Sequence, residues 1–383
     1  MPLRVEQART PDDVERLGAL WDGVAWRREE AEREYLLARV RLRAEAIAPF
    51  AGFALDGERT VAAVAGRIEE RALPVGIGYR TVYAPHARLL QLVDGGVVAE
   101  SGDAARPVLD ALRTMLERGE VDAVAVPPLP VDSTLRRSFA ALGGPLERQP
   151  FIRPWPRRTL TLPESFDEFV DARPSRVRLK RYAKRLDKQL GDELAVEITR
   201  DPSGLDRFAR DAEAIAAATY QRAVGSGFAD TPEQRELLRI SLEHGWQRAY
   251  VLRIREAPVA YWLCSTYHGT MTTRVTGYSP EREHDRAGSY LLLRVIEDAC
   301  RDPGLHTLDF GPGDADYKRH FSSDSHLEQN MLVFAPTVQG RRLNLTRGAI
   351  LGGVELARRL TDATGFTGGI RKTWRKRLRR QDS

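Results

Sequence analysis

The sequence predicts an α/β (α+β) fold of two tandem modules, each a mixed, mostly antiparallel sheet flanked by helices, with a basic tail after the second. Three observations predict it. The chain has 383 residues, more than one core of ordinary size organises. An order of helix, strand meander, loop, helix, strand, helix, strand is written twice along it, in element order although not in residue identity. Between the two copies, Pro150, Pro154, Pro156 and Pro163 mark a linker. The modules are therefore expected at 1–155 and 156–338, and the tail at 339–383.

In the first copy, Thr10-Pro11-Asp12-Asp13 is a helix start, with a capping residue followed by proline and acids. Val14, Leu17, Leu20 and Trp21 then share one face of a helix over 11–21. An Arg-, Glu- and Ala-rich stretch at 27–47 reads as a second helix. Phe50 to Leu55 and Thr60 to Ile68 flank Asp56-Gly57, a strong hairpin signal. A strand near 89–93 leads to a loop at Gly95-Gly96. A helix is expected over 105–117, a buried strand over 121–126 stopped by Pro127-Pro128-Leu129-Pro130, and a short helix over 132–142 ending at Gly143-Gly144.

The second copy follows a basic helical region. It has a strand at 194–198, a helix at 202–220, a meander of 250–254 and 259–267 around Glu256-Ala257-Pro258, and a strand at 272–277. A helix opens at Gly288 and runs to about Cys300. A strand at 305–310, a short helix at 317–321 and a last strand at 330–334 complete it. The stretch 272–310 is a strand–helix–strand crossover, which makes a local parallel pair in an otherwise antiparallel sheet.

Composition excludes several classes. Hydrophobic residues are 42% and charged residues 30%, the balance of a globular chain rather than a disordered one. No apolar run approaches the roughly 18 residues of a membrane-spanning helix, and the opening Met1-Pro2-Leu3-Arg4-Val5-Glu6 lacks the apolar core of a secretion leader. A cytoplasmic location is expected. Two cysteines, Cys264 and Cys300, sit in apolar patterns outside any CxxC spacing and read as core residues; no metal site is expected. The formal net charge is +5, but residues 341–383 hold 12 Arg and Lys against three acids, so the tail carries +9 and the rest −4.

Two segments carry chemistry. In Leu308-Asp309-Phe310-Gly311-Pro312-Gly313-Asp314-Ala315-Asp316-Tyr317-Lys318-Arg319-His320-Phe321, a strand ends in a Gly-Pro-Gly loop and passes into an aromatic-cationic helix start. Such a junction lies at the carboxyl end of a strand, where open α/β sheets place ligands. Upstream, Val275-Thr276-Gly277-Tyr278-Ser279-Pro280 precedes Arg286-Ala287-Gly288-Ser289-Tyr290. This is a strand, a loop and a Gly-Ser helix start, whose free N–H groups and dipole suit an anion.

Together and at this spacing, the two segments resemble acyltransferases of the GNAT (N-acetyltransferase) superfamily, in the CelD/BcsL group of cellulose and exopolysaccharide biosynthesis. That group is related in fold to the FemABX peptidyltransferases, which also carry two tandem GNAT modules. The resemblance covers about 160–335 and rests on Asp309-Phe310-Gly311 and Tyr317-Lys318. It implies an acyl-CoA co-substrate and no permanently bound cofactor. The pantetheine arm is expected along Val275, Thr276, Gly277 and Tyr278, and the diphosphate on Arg286, Ala287, Gly288, Ser289 and Tyr290. Tyr317 is expected to protonate the leaving thiolate. Lys318 either neutralises a phosphate or carboxylate, or stabilises an oxyanion, or else pairs with Asp314 or Asp316. The usual diphosphate loop reads Gln/Arg-x-x-Gly-x-Gly/Ala; here Asp285 and Tyr290 stand at its first and last positions.

Direct transfer to an alcohol or amine needs a proton acceptor, and His268, His284, His306, His320, Asp309 and Glu256 are the candidates. The absence of a GxSxG pattern disfavours a covalent route. The basic stretch 173–188 presents Arg178, Lys180, Arg181 and Lys184 to an anionic substrate: a nucleotide, tRNA or glycan. The seven cations of 371–380, with Trp374 among them, suit an anionic membrane surface at the inner face or nucleic acid, or else form a solubilising tail. The first module has no counterpart of the Asp-Phe-Gly and Tyr-Lys signature, so it is expected to bind no acyl donor. Three functions remain open: acyl-CoA-dependent acylation of a sugar, exopolysaccharide or cell-envelope precursor; Fem-like transfer from aminoacyl-tRNA; and a non-catalytic scaffold for a glycan or lipid carrier.

Overall fold

A computed structural model describes residues 3–77, 80–173, 188, 190–219, 227–281 and 286–363. The chain forms two compact units. Unit 1 comprises Met1–Trp26, Arg43–Pro154 and Glu328–Ser383; unit 2 comprises Arg27–Leu42 and Trp155–Leu327. Two segments therefore lie apart from where a contiguous pair of modules would put them. Residues 27–42 belong to the second unit, and the chain from Glu328 onward belongs to the first.

Strand β1 (Arg4–Ala8) leads to α1 (Pro11–Arg16). The Thr10 start forms a full capping box. Thr10 Oγ1 accepts the Asp13 N–H at 3.1 Å, and Asp13 Oδ2 accepts the Thr10 N–H at 3.2 Å. The helix expected over 11–21 breaks at Leu17, whose ψ of 12° is not helical, and resumes as α2 (Gly18–Asp22). The stretch expected to be one helix at 27–47 is a single 3₁₀ turn (Glu29–Ala31) followed by α3 (Arg33–Leu42). Helix α3 turns Tyr35 and Ala38 onto Leu237 and Ile240 of unit 2, which is why it belongs there.

The hairpin of β2 (Ala46–Asp56) and β3 (Arg59–Ala72) turns at Gly57, with φ 63°. A small hairpin of β4 (Val75–Ile77) and β5 (Arg80–Tyr83) precedes β6 (His86–Ala99). Strand β6 runs straight through Gly95-Gly96, where the sequence reads as a loop; the pair sits in a bulge opposite Ala65. A Cβ on Gly96 would lie 2.9 Å from the Ala65 carbonyl, so glycine is required. Helix α4 (Gly102–Glu117) crosses over to β7 (Ala123–Pro130). The prolines expected to stop β7 lie inside it. Its ladder with β6 covers only Ala123–Ala125, so Pro127 and Pro128 forfeit no bond on that side. Helix α5 (Thr134–Ala140) follows.

Unit 2 contains β8 (Trp155–Thr161), α6 (Phe166–Asp171), β9 (Leu194–Thr199), α7 (Leu205–Ala217) and α8 (Pro232–Glu243). The meander of β10 (Gln247–Ile254), β11 (Ala257–Tyr267) and β12 (Thr270–Tyr278) comes next. Then follow α9 (Ala287–Arg301), β13 (Thr307–Pro312) and α10 (Asp316–Phe321). Strand β14 (Asp324–Phe334) pairs antiparallel with β7 from Glu328 onward, and α11 (Val338–Ala363) packs Leu343 beside Phe334 in unit 1.

The strand orders are β1-β2-β3-β6-β7-β14 in unit 1 and β9-β10-β11-β12-β13-β8 in unit 2. In each, one parallel pair joined through a crossover helix interrupts antiparallel neighbours: β6 with β7, and β12 with β13. The duplication read in the element order is thus present in the sheets. In unit 2 one sheet face packs Trp262, Cys264, Met271 and Phe310 against α9, and the other packs Tyr261 and Leu263 against Phe208 of α7.

Candidate active site

Strands β12 and β13 form a fork. Their parallel ladder holds only three residue pairs: Thr270 with Thr307, Met271 with Leu308, and Thr272 with Asp309. Beyond this point β12 stays with β11 as far as Tyr278, which faces Ala260, while β13 stays with β8, Pro312 facing Arg157. Gly311 closes the vertex. Its φ is 69°, and a Cβ there would lie 3.2 Å from the Thr273 carbonyl. At the same level β12 carries a bulge: Leu263 faces Val275 and Cys264 faces Thr273, leaving Arg274 as the extra residue. Bulges re-aim local backbone groups. The side of β12 that faced β13 therefore becomes an open edge over Val275, Thr276, Gly277 and Tyr278.

The side chains of this edge are occupied elsewhere. Val275 packs on the Tyr261 cluster and Thr276 Oγ1 donates to the Tyr261 carbonyl at 2.9 Å. At Gly277 a Cβ would lie 2.5 Å from Tyr261 Cε1, so the ring of the neighbouring strand excludes any side chain. The backbone is what this strand offers a ligand.

Helix α9 starts at the far end of β12. Arg286 caps it in the left-handed region (φ 48°, ψ 38°), and its carbonyl accepts the N–H groups of Ser289 and Tyr290 at 2.9 and 3.1 Å. The N–H groups of Ala287 and Gly288 have no acceptor among the described residues, as expected of a helix start. Gly288 lies against the Tyr278 ring, at an ordinary 3.5 Å from a built Cβ. Tyr290, expected to reach a diphosphate, is instead buried. Its hydroxyl accepts from Arg294 Nε at 3.1 Å, and the Arg294 guanidinium lies 4.8 Å from its ring centre.

Tyr317 stands over the fork from α10. Its ring meets Trp262 edge-on at 6.0 Å and Phe310 at 6.3 Å. Trp262 Nε1 donates to the Gly288 carbonyl at 3.3 Å, so one tryptophan ties the helix start to the tyrosine. Burial pushes the Tyr317 phenol up to about 12.

Asp309 and Lys318 fix the frame around Tyr317. Asp309 is 3% exposed. Its Oδ2 accepts from Arg157 Nε and Nη2 at 2.8 and 2.5 Å and from Arg28 Nη2 at 2.7 Å; its Oδ1 accepts the Gly311 N–H at 2.8 Å. Burial raises the carboxyl above its ordinary range, against the pull of Arg28, the Gly311 N–H and Lys318. Lys318 pairs with neither Asp314 nor Asp316. Its Nζ donates to the carbonyls of Pro312 and Gly311 at 2.7 and 3.3 Å. Arg319 takes both acids instead, and burial lowers the Lys318 ammonium.

The proton-acceptor candidates scatter. His268 lies at the β11–β12 turn, and the His306 N–H donates to the Gly269 carbonyl at 2.8 Å beside it. That turn and Tyr278 are at opposite ends of a nine-residue strand, roughly 26 Å apart. A cavity of about 660 Å³ lies at that far end too, lined by Phe166, Cys300, Leu305 and His306 among others; of the expected site residues it holds only the proton-acceptor candidate His306. Glu256 is in the β10–β11 turn, His320 rests edge-on to Phe321, and His284 lies outside the described residues. Outside them also lie Arg178, Lys180, Arg181, Lys184, Asp285 and the basic run 371–380. No helix among the described residues is long and apolar enough to cross a membrane.

Three residues at the site carry no signal in the sequence. Arg157 lies in the proline-rich stretch that reads as a linker but forms β8, Trp262 looks like an ordinary strand position, and Arg28 lies 281 residues from its carboxylate.

Comparison with known proteins bears on the fold that carries this geometry. Residues 173–319 match the model of the acetyltransferase (GNAT) domain family. Among solved structures, FemX is 13% identical and aligns over 78% of this chain and 90% of its own, with a TM-score of 0.54. A tandem GNAT protein from the clavulanic acid biosynthesis pathway is 14% identical over 87% of this chain and 99% of its own, with a TM-score of 0.51. At such identities the likeness is one of fold, and it is a likeness of two GNAT-like modules. No curated protein matches the chain in sequence.

Proposed function

We propose that this chain, an enzyme of the GNAT acyltransferase type, moves an acyl group from acyl-CoA to an amine or hydroxyl of a sugar, exopolysaccharide or cell-envelope precursor at the site in unit 2. The observation that carries the reading is the fork. An open strand edge at Val275–Tyr278 leads to a helix start with free N–H groups at Ala287 and Gly288, and a tyrosine stands over the junction. A pantetheine arm has amides that pair with such an edge, and a diphosphate suits such a helix start. The narrower kinship with the CelD/BcsL group rests on Asp309-Phe310-Gly311 and Tyr317-Lys318.

In this reading the acceptor nitrogen or oxygen attacks the thioester carbon, the carbon–sulfur bond breaks, and the sulfur departs as thiolate beside Tyr317. The acceptor's proton leaves to a base or to water. With its pKa near 12, the phenol is protonated at neutral pH. A thiol of ordinary pKa, about 8.5, is the stronger acid, so Tyr317 stabilises the thiolate by donating a hydrogen bond rather than by surrendering its proton outright. Asp309 and Lys318 hold the strand end and act through position.

Thermal-shift and calorimetric titrations of CoA, acetyl-CoA and long-chain acyl-CoAs against wild type and Gly288→Asp test the donor site. The position tolerates a side chain, since a built Cβ makes only ordinary contact, and an acid in a first helical turn favours the helix. The variant should therefore fold and lose CoA binding by tenfold or more. A folded wild type that no CoA compound shifts would shift the assignment to the second reading, Fem-like transfer from aminoacyl-tRNA, which the fold likeness to FemX supports. That reading expects salt-sensitive tRNA binding that weakens when Arg178, Lys180, Arg181 and Lys184 are neutralised.

A further inference from the structure

We infer that Arg28, far upstream in sequence, is a positioning residue that sets the opening of the β12–β13 fork. The inference rests on the reading of that fork as the donor cleft. The guanidinium lies where the two strands stop pairing. Nη1 donates to Thr272 Oγ1 at 2.5 Å and Nη2 to Asp309 Oδ2 at 2.7 Å, and Thr272 with Asp309 is the last pair of the ladder. One planar group therefore bridges the two strands at the vertex.

The bridge is held from behind. Residues 29–32 cross the same sheet face as a polar strap. Glu29 accepts from Ser265 Oγ of β11 at 2.7 Å, Glu30 pairs with Arg274 of β12, and Glu32 accepts from the Tyr267 hydroxyl of β11. Ser265 and Thr272 are directly opposed across β11 and β12, so Glu29 and Arg28 grip neighbouring rungs. On the far side of β13, Arg157 holds the same Asp309 oxygen from β8. Asp309 is thereby fixed to β8 and, through Arg28, to β12. Three parallel residue pairs are little to define the angle at which two strands part; a bidentate bridge at the last of them defines it. Lysine cannot replace it, because one ammonium on a flexible stem does not span two acceptors in a fixed plane.

Two measurements on the full chain test this, one independent of any ligand. Hydrogen exchange of the unliganded protein should be at least tenfold faster at Arg274–Tyr278 and Gly311–Gly313 in Arg28→Lys and in Thr272→Val, with β9 and β10 unchanged. Titration with CoA should show a Kd, and turnover a KM for acyl-CoA, raised about tenfold in both variants, with kcat less affected. The double variant should lose no more than Arg28→Lys alone, because both remove one bridge. A residue with only a general structural role would lower Tm and the active fraction while leaving the KM of the surviving enzyme unchanged. Exchange at the fork identical to wild type in Arg28→Lys overturns the inference. A wild type that binds no CoA overturns the donor reading instead, while the exchange experiment still decides the bridge.

Discussion

Replacing Tyr317 by Phe removes one oxygen and leaves the ring, so it separates chemistry from packing. The ring contacts with Trp262 and Phe310 survive, and no described residue hydrogen-bonds the hydroxyl. Stability should therefore change by less than about 1 kcal/mol. Catalysis should change far more. Loss of a donor to the departing sulfur is worth about a hundredfold in kcat, roughly 2.7 kcal/mol. The effect must also depend on the leaving group. With a thiophenyl ester in place of CoA, whose thiolate needs less help, the loss should shrink to about tenfold or below. The pH behaviour follows from the same burial. A phenol raised from 10.0 to about 12 stays protonated across the working range, so the kcat profiles of wild type and variant should run parallel from pH 6 to about 10. The phenol's contribution to stability is intact below about pH 10 and is lost as pH rises toward 12. Steady-state kinetics with both esters, read beside a thermal melt, suffice. A Tyr317→Phe enzyme with wild-type kcat on CoA esters, or an equal loss on both leaving groups, would refute the assignment.

Two further perturbations probe the frame. Gly277→Ala puts a methyl 2.5 Å from Cε1 of Tyr261, a fully buried ring whose hydroxyl accepts the Phe228 N–H at 3.1 Å. It should cost about 1–3 kcal/mol in urea unfolding, partly recovered by adding Tyr261→Leu, and a neutral outcome would mean that the ring yields. Lys318→Met strips the donor from the Gly311 and Pro312 carbonyls and should cost about 1–3 kcal/mol. Because burial lowers Lys318, the unfolded chain holds that proton more tightly than the folded one. The stability advantage of wild type over Lys318→Met should therefore widen as pH rises toward about 10.5, the ordinary lysine value; a gap that narrows with pH would contradict the burial.

The parts of the fold that were legible in sequence are those set by short-range chemistry. Thr10 capping its own helix, Gly57 turning a hairpin and the helix start at Gly288 need only their neighbours. Helix α8 opens with Thr231-Pro232-Glu233, the same local signal as Thr10-Pro11-Asp12, and Thr231 Oγ1 accepts the Gln234 N–H at 3.1 Å. The bulges at Gly95-Gly96 and Arg274 were not readable, because a bulge is decided by the partner strand. Nor was the membership of residues 27–42 and of β14, since an apolar stripe such as Tyr35 and Ala38 does not state which surface it will cover.

The site motif shows how a recognisable signature can be structural in most of its letters. Asp309 is consumed by Arg157, Arg28 and the Gly311 N–H. Phe310 is core, 1% exposed. Gly311 is demanded by a positive φ and by the nearness of the Thr273 carbonyl. Lys318 reaches back from α10 to staple the Gly311 and Pro312 carbonyls at the end of β13. Four of the motif's five letters, Asp309, Phe310, Gly311 and Lys318, thus serve to end β13 at the vertex and start α10 beside it, whatever the acceptor. Tyr317 alone among them turns a polar atom that these contacts leave unused. A motif spent in this way carries little information about an acceptor: most of its letters shape the end of β13 at the fork, and none of those side chains is left to contact a substrate.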